Sequence, residues 1–89
     1  MLDNLKEQIK NEKRWNIKCL GILTFHTLME ATRENVRKEK WRVEDSAREL
    51  DLSVGFISES LKLAKALGKN DKLKFFSREN ALNFLRNEE

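Results

Sequence analysis

No proline interrupts this chain of 89 residues, only three glycines punctuate it, and it has one cysteine, one histidine and no tyrosine. Each scarcity excludes something. Few helix-breaking residues and few β-branched runs argue for helices throughout. A lone cysteine, Cys19, cannot close an internal disulfide, and no Cys/His cluster has zinc spacing, so a reducing compartment without structural metal is expected. Cys19 and His26 lie two helical turns apart, but no third ligand is spaced to join them; a packed, hydrogen-bonded histidine is the expected role. The longest apolar stretch, from Leu20 to Met29, is too short to span a bilayer and is broken by Thr24, His26 and Thr27. The first residues carry Asp3 and Glu7 and show no signal-peptide pattern, so a cytoplasmic protein without membrane contact is expected. No paired-carboxylate signal, Gly-rich phosphate loop or nucleophile motif is present. The expectation is therefore a binding protein rather than an enzyme, with no cofactor and no small-molecule ligand.

What the chain does have is helix-forming residues in abundance. Charged residues make up 37% of it, and Glu, Lys, Arg and Leu dominate, which predicts an all-α fold. One domain over residues 1–89, a small bundle of about five helices, fits this length. Burial is limited at that size, so association with a second copy is expected, a dimer being favoured. The net charge of +3 and sequence pI near 9.2 permit nucleic-acid binding without demanding it.

Leu2, Leu5 and Ile9 recur at helical spacing and predict a short amphipathic helix able to pack on its own domain or on another chain. A longer helix is expected from about Asn16 to Glu39, its first half apolar on nearly every side and therefore needing cover all round. Gly21 inside it suggests close approach of another helix, and Trp15 is a candidate intersubunit contact. Trp41 is expected to pack the next segment onto this helix. Residues 1–40 would thus serve as scaffold and oligomer interface. After an Asn70-Asp71 turn and an apolar link, Ser77 should cap a last helix with Ala81, Leu82 and Leu85 facing inward.

The stretch from Trp41 to Leu67 reads as two short helices joined by a tight turn, a helix-turn-helix over residues 43–67. The first helix would run from Val43 to Leu50, with Glu44 and Asp45 near the positive end of its dipole. Ser53 has the chemistry of an N-cap for a second helix starting at Val54, and Gly68 would supply a left-handed stop after Leu67. Ala47 sits where the two helices must cross closely, and Val43, Leu50, Leu52, Ile57 and Leu61 form an apolar seam.

The segment Ser53-Val54-Gly55-Phe56-Ile57-Ser58-Glu59-Ser60-Leu61-Lys62-Leu63 resembles the recognition helix of bacterial and phage helix-turn-helix proteins, most closely the ParB/KorB partition type. In that family a serine opens the helix, Val or Ile followed by Ser lies mid-helix, and a Leu-x-Leu run follows. The resemblance covers roughly 25 residues and implies binding of double-stranded DNA in a prokaryotic or phage setting. Two positions depart from the pattern: Asp51 stands where Gly is usual, and Arg42 where a Ser or Thr cap is common.

On this reading the DNA-facing residues of the second helix are Ser53, Val54, Gly55, Phe56, Ser58, Glu59 and Lys62. Ser58 would reach a base edge or phosphate, Glu59 a cytosine amino group, and Gly55 would allow close backbone approach. Phe56 is equally suited to the core or to a thymine methyl. Between Asp45 and Leu67 three basic residues (Arg48, Lys62, Lys65) face four acidic ones (Asp45, Glu49, Asp51, Glu59). Phosphate contacts would therefore fall to the flanks, Arg33, Arg37, Lys38, Lys40 and Arg42 before the motif and Lys69, Lys72, Lys74 and Arg78 after it, with Lys65 also among the expected DNA-binding residues. The expected function is a small transcriptional regulator or partition-type binder. The rival is a protein-interaction adaptor, or a packaging subunit of the small-terminase kind, with Leu2, Leu5, Ile9 or Trp15 docking on a larger assembly.

Overall fold

The computed structural model describes residues 2–36 and 40–88, which form five α-helices and one 3-10 helix. They are α1 (Leu2–Asn11), α2 (Trp15–Val36), α3 (Val43–Leu50), α4 (Val54–Lys69), the 3-10 helix Asp71–Phe75, and α5 (Arg78–Glu88). No strand occurs among the described residues, and the all-α expectation holds. Arg37 and Lys38 lie outside the described residues.

Helix α2 is the element on which the others assemble, and it separates the interior into two clusters. In one, Ile22 and Phe25 pack with Ile9 of α1, Trp41, Ala47 and Leu50 of the α3 region, and Ile57 and Leu61 of α4. In the other, Cys19 packs with Leu63 and Ala64 of α4 and Ala81 of α5, and Leu23 touches both clusters. Each apolar side chain taken fully out of water in this way contributes on the order of 1.5–3 kcal/mol. Helix α1 lies on its own chain: Ile9 is buried, and a Cβ on Gly21 would stand 3.0 Å from Ile9 Cγ1. Gly21 is thus the close-approach site, and the partner is α1 of the same protomer. Leu5 packs against the same cluster, which removes it and Ile9 from the surface an adaptor would offer.

Trp15 is likewise committed internally. Its Nε1–H donates to the carbonyl of Phe76 at 2.8 Å and its ring, half-buried, packs on the Cys19 cluster. Nor is α2 covered all round, as its sequence required: Ile17, Leu20 and Leu28 remain 39%, 42% and 47% exposed. The reason is geometric. Only α1, α3 and α4 make substantial contact with α2, and three neighbours cannot enclose a helix of 22 residues.

A buried polar cluster joins α2 to α3. Trp41 Nε1–H donates to Ser46 Oγ at 2.7 Å, and the Ser46 hydroxyl lies 2.7 Å from His26 Nδ1. Because the indole can only donate, the serine proton is left for the imidazole. This network anchors the start of α3 to α2 as expected for Trp41, and it gives His26 its hydrogen-bonded role.

Candidate nucleic-acid interface

Helices α3 and α4 are joined by three residues, and each end of the connection is closed by identifiable bonds. At the start of α3, the Asp45 carboxylate accepts from the Arg42 backbone N–H at 2.9 Å. Arg42 itself has no acceptor to return, so the cap is one-sided. At the end of α3, Asp51 adopts the left-handed conformation (φ 56°, ψ 45°). Its N–H reaches the Arg48 carbonyl at 3.3 Å, and the Leu52 N–H reaches Ala47 at 3.0 Å. That pair of bonds is a Schellman closure, so the turn forms with Asp where the resembled family has Gly. Ser53 then caps α4, its Oγ accepting from the Phe56 N–H at 3.1 Å.

Packing of α4 on α3 follows the expected seam. Ala47, Leu50, Ile57 and Leu61 are buried, with Val43 and Leu52 packed at the margin. Helix α4 does not stop at Gly68. It continues to Lys69 with no left-handed glycine among the described residues, and the Asn70 N–H closes the last turn on Ala66 at 2.8 Å. The Asn70 side chain then accepts from the Lys72 N–H at 3.2 Å, capping the 3-10 helix. An asparagine that ends one helix and starts another makes a glycine stop unnecessary.

The expected reading residues divide into two groups. Ser53, Val54, Gly55, Lys62 and Lys65 are exposed and Ser58 is half-buried. Gly55, Ser58, Lys62, Lys65 and Lys69 fall at intervals of three and four along α4, which puts them on one face. No Cβ contact lies within 4 Å of Gly55, so that end of the face is open. Lys62, Lys65 and Lys69 make no ion pair among the described residues, and Arg42 is exposed at the start of α3.

Phe56 and Glu59 belong elsewhere. The Phe56 ring lies between the Arg78 guanidinium, 4.6 Å from its centroid, and Lys18 Nζ at 5.8 Å, and it packs against the core. Glu59 holds Arg78 at 3.2 Å and Arg86 at 3.7 Å, so the free acceptor expected for a cytosine is instead a tie between α4 and α5. Both residues lie on the flank of α4 that meets α5, and the long-range partners that draw them there are invisible to helical spacing alone. Their removal also changes the charge of the outward face: with Glu59 neutralised by two arginines, the three lysines dominate it.

Burial pushes the Cys19 thiol pKa up, with the Ser60 hydroxyl and the Arg78 and Lys18 charges acting more weakly in the opposite direction. The thiol is therefore held protonated. Cys19 and His26 lie two turns apart along α2, the first packed among Leu63, Ala64 and Ala81 and the second bonded to Ser46, and no three His, Cys, Asp or Glu side chains among the described residues gather as a metal site. No described helix is long and apolar enough to cross a membrane. No protein family, curated protein or solved structure matches this chain.

Proposed function

We propose that this protein is a non-enzymatic binder of double-stranded DNA that presents the outward face of α4 to the duplex, as a small regulator or partition-type protein does. One observation carries the reading: the face bearing Gly55, Ser58, Lys62, Lys65 and Lys69 is left uncovered by the protomer, with its three lysines unpaired among the described residues. The N-terminal end of α4 offers small side chains for close approach, and the lysines supply the phosphate contacts that give affinity. With about three such contacts, the logarithm of the association constant should fall with the logarithm of salt with a slope of about −3.

A second copy is part of the proposal, since one reading helix covers only a few base pairs. The surface that suits it is the exposed face of α2. Ile17, Leu20, Leu28 and Ala31 are placed symmetrically about Thr24, so an antiparallel copy meets the same series of positions, as an isologous interface requires. The hydroxyls of Thr24 and Thr32 are satisfied by the carbonyls of Leu20 and Leu28, each at 2.9 Å, which lowers the cost of drying this face.

Anisotropy of a labelled duplex titrated at several salt concentrations tests the binding claim. Lys62→Ala should weaken every sequence and flatten the salt slope by about 1, and Ser58→Ala should change the preference among sequences. A duplex affinity that is negligible in dilute buffer would overturn the reading in favour of an adaptor.

A further inference from the structure

Between α4 and α5 runs an open groove of about 630 Å³, with Lys62, Lys65 and Lys69 along one wall and Ala66, Leu73, Phe84 and Leu85 beneath them. Phe84 also lines an adjoining depression of about 360 Å³, whose other members are Phe76, Asn80, Asn83 and Asn87. Phe84 lines both hollows and stands between them, with the lysine wall and apolar floor on one flank and three exposed asparagines on the other. Among the described residues no acidic side chain lines either part.

We infer that this groove holds unpaired nucleotides of a nucleic-acid strand. The inference extends the duplex reading and rests on it in sharing Lys62, Lys65 and Lys69. The charge pattern demands an anionic occupant, and the lysines follow one line along α4, as the phosphates of a strand do. The floor and the adjoining depression decide which anion. Phe76 is 40% exposed and meets Phe84 edge-on with centroids 6.1 Å apart, which is an aromatic platform of the kind on which bases stack with little sequence preference. Asn80, Asn83 and Asn87 each offer an amide that both donates and accepts, the complement of an exposed base edge. An acidic peptide would use the lysines and the apolar floor but has no need of three uncharged amides.

The test compares a blunt duplex with the same duplex carrying a single-stranded tail, by anisotropy on the full chain. A stacked base contributes on the order of 1–3 kcal/mol, so the tail should tighten binding by about tenfold or more. Asn83→Ala should reduce that gain while leaving blunt-duplex affinity unchanged. In a Phe84→Trp variant, shown folded by circular dichroism, a single-stranded oligonucleotide should quench the introduced indole. Polyglutamate of equal charge should not. A tail without effect, or equal quenching by polyglutamate, overturns the inference. Failure of the duplex reading has a different signature: no binding of the blunt duplex, with quenching by the single strand retained.

Discussion

Ser46 shows how much a single small side chain holds in a core of this size. Its hydroxyl serves both Trp41 and His26 at 2.7 Å and is wholly buried. Removing it breaks both hydrogen bonds in a buried setting, at a cost of about 1–3 kcal/mol before any relaxation. Ser46→Ala should therefore lower the urea midpoint clearly, with the slope of the transition unchanged; a midpoint equal to the parent would show that the network contributes nothing. The same scale explains which site residues could be anticipated. Ser53, Gly55, Ser58 and Lys62 follow from helical spacing after a capping serine, a purely local signal. Phe56 and Glu59 do not, because Arg78 and Arg86, which claim them, are 19 to 27 residues further on and approach only once α5 has docked.

At the scale of the element, α3 and the start of α4 were legible to the residue, and the ends of the other helices were less so. The difference is physical. The boundaries of α3 and α4 are set by Asp45, Asp51 and Ser53 acting within five residues of their own position. The continuation of α4 past Gly68 depends on Asn70 capping the following 3-10 helix, an element with no hydrophobic period of its own. The asparagine row of α5, at residues 80, 83 and 87, has helical spacing, but an uncharged polar stripe carries no signal in a sequence until its neighbours are known. Asp51 provides the test at this scale. A left-handed backbone costs a side-chain-bearing residue roughly 1–2 kcal/mol, part of which glycine loses again through its freer unfolded chain. Asp51→Gly should raise stability by about 0.5–1 kcal/mol, and Asp51→Val should lower it by at least as much, both measured by urea unfolding. If valine is tolerated as well as glycine, the turn does not depend on that conformation.

For the molecule as a whole, three surfaces remain once the core is assembled: the basic outward face of α4, the groove it shares with α5, and the uncharged face of α2. Their separation matters, since a protein that pairs through α2 keeps α4 free for a ligand. Leu20→Asp or Leu28→Asp should shift the sedimentation coefficient from that of a dimer to that of a monomer and weaken binding to a two-fold symmetric site while retaining helix content. Parent protein that sediments as a monomer at high concentration would exclude the pairing. The claim on which the functional reading depends is that the outward face of α4 is where nucleic acid meets this chain. Amide chemical-shift mapping on adding a duplex measures it most directly. The expected result is a set of perturbations centred on Gly55, Ser58, Lys62 and Lys65, with the exposed α2 positions Leu20 and Leu28 undisturbed at fixed protein concentration; shifts confined to α1 or α2, or none at all in dilute salt, would contradict it.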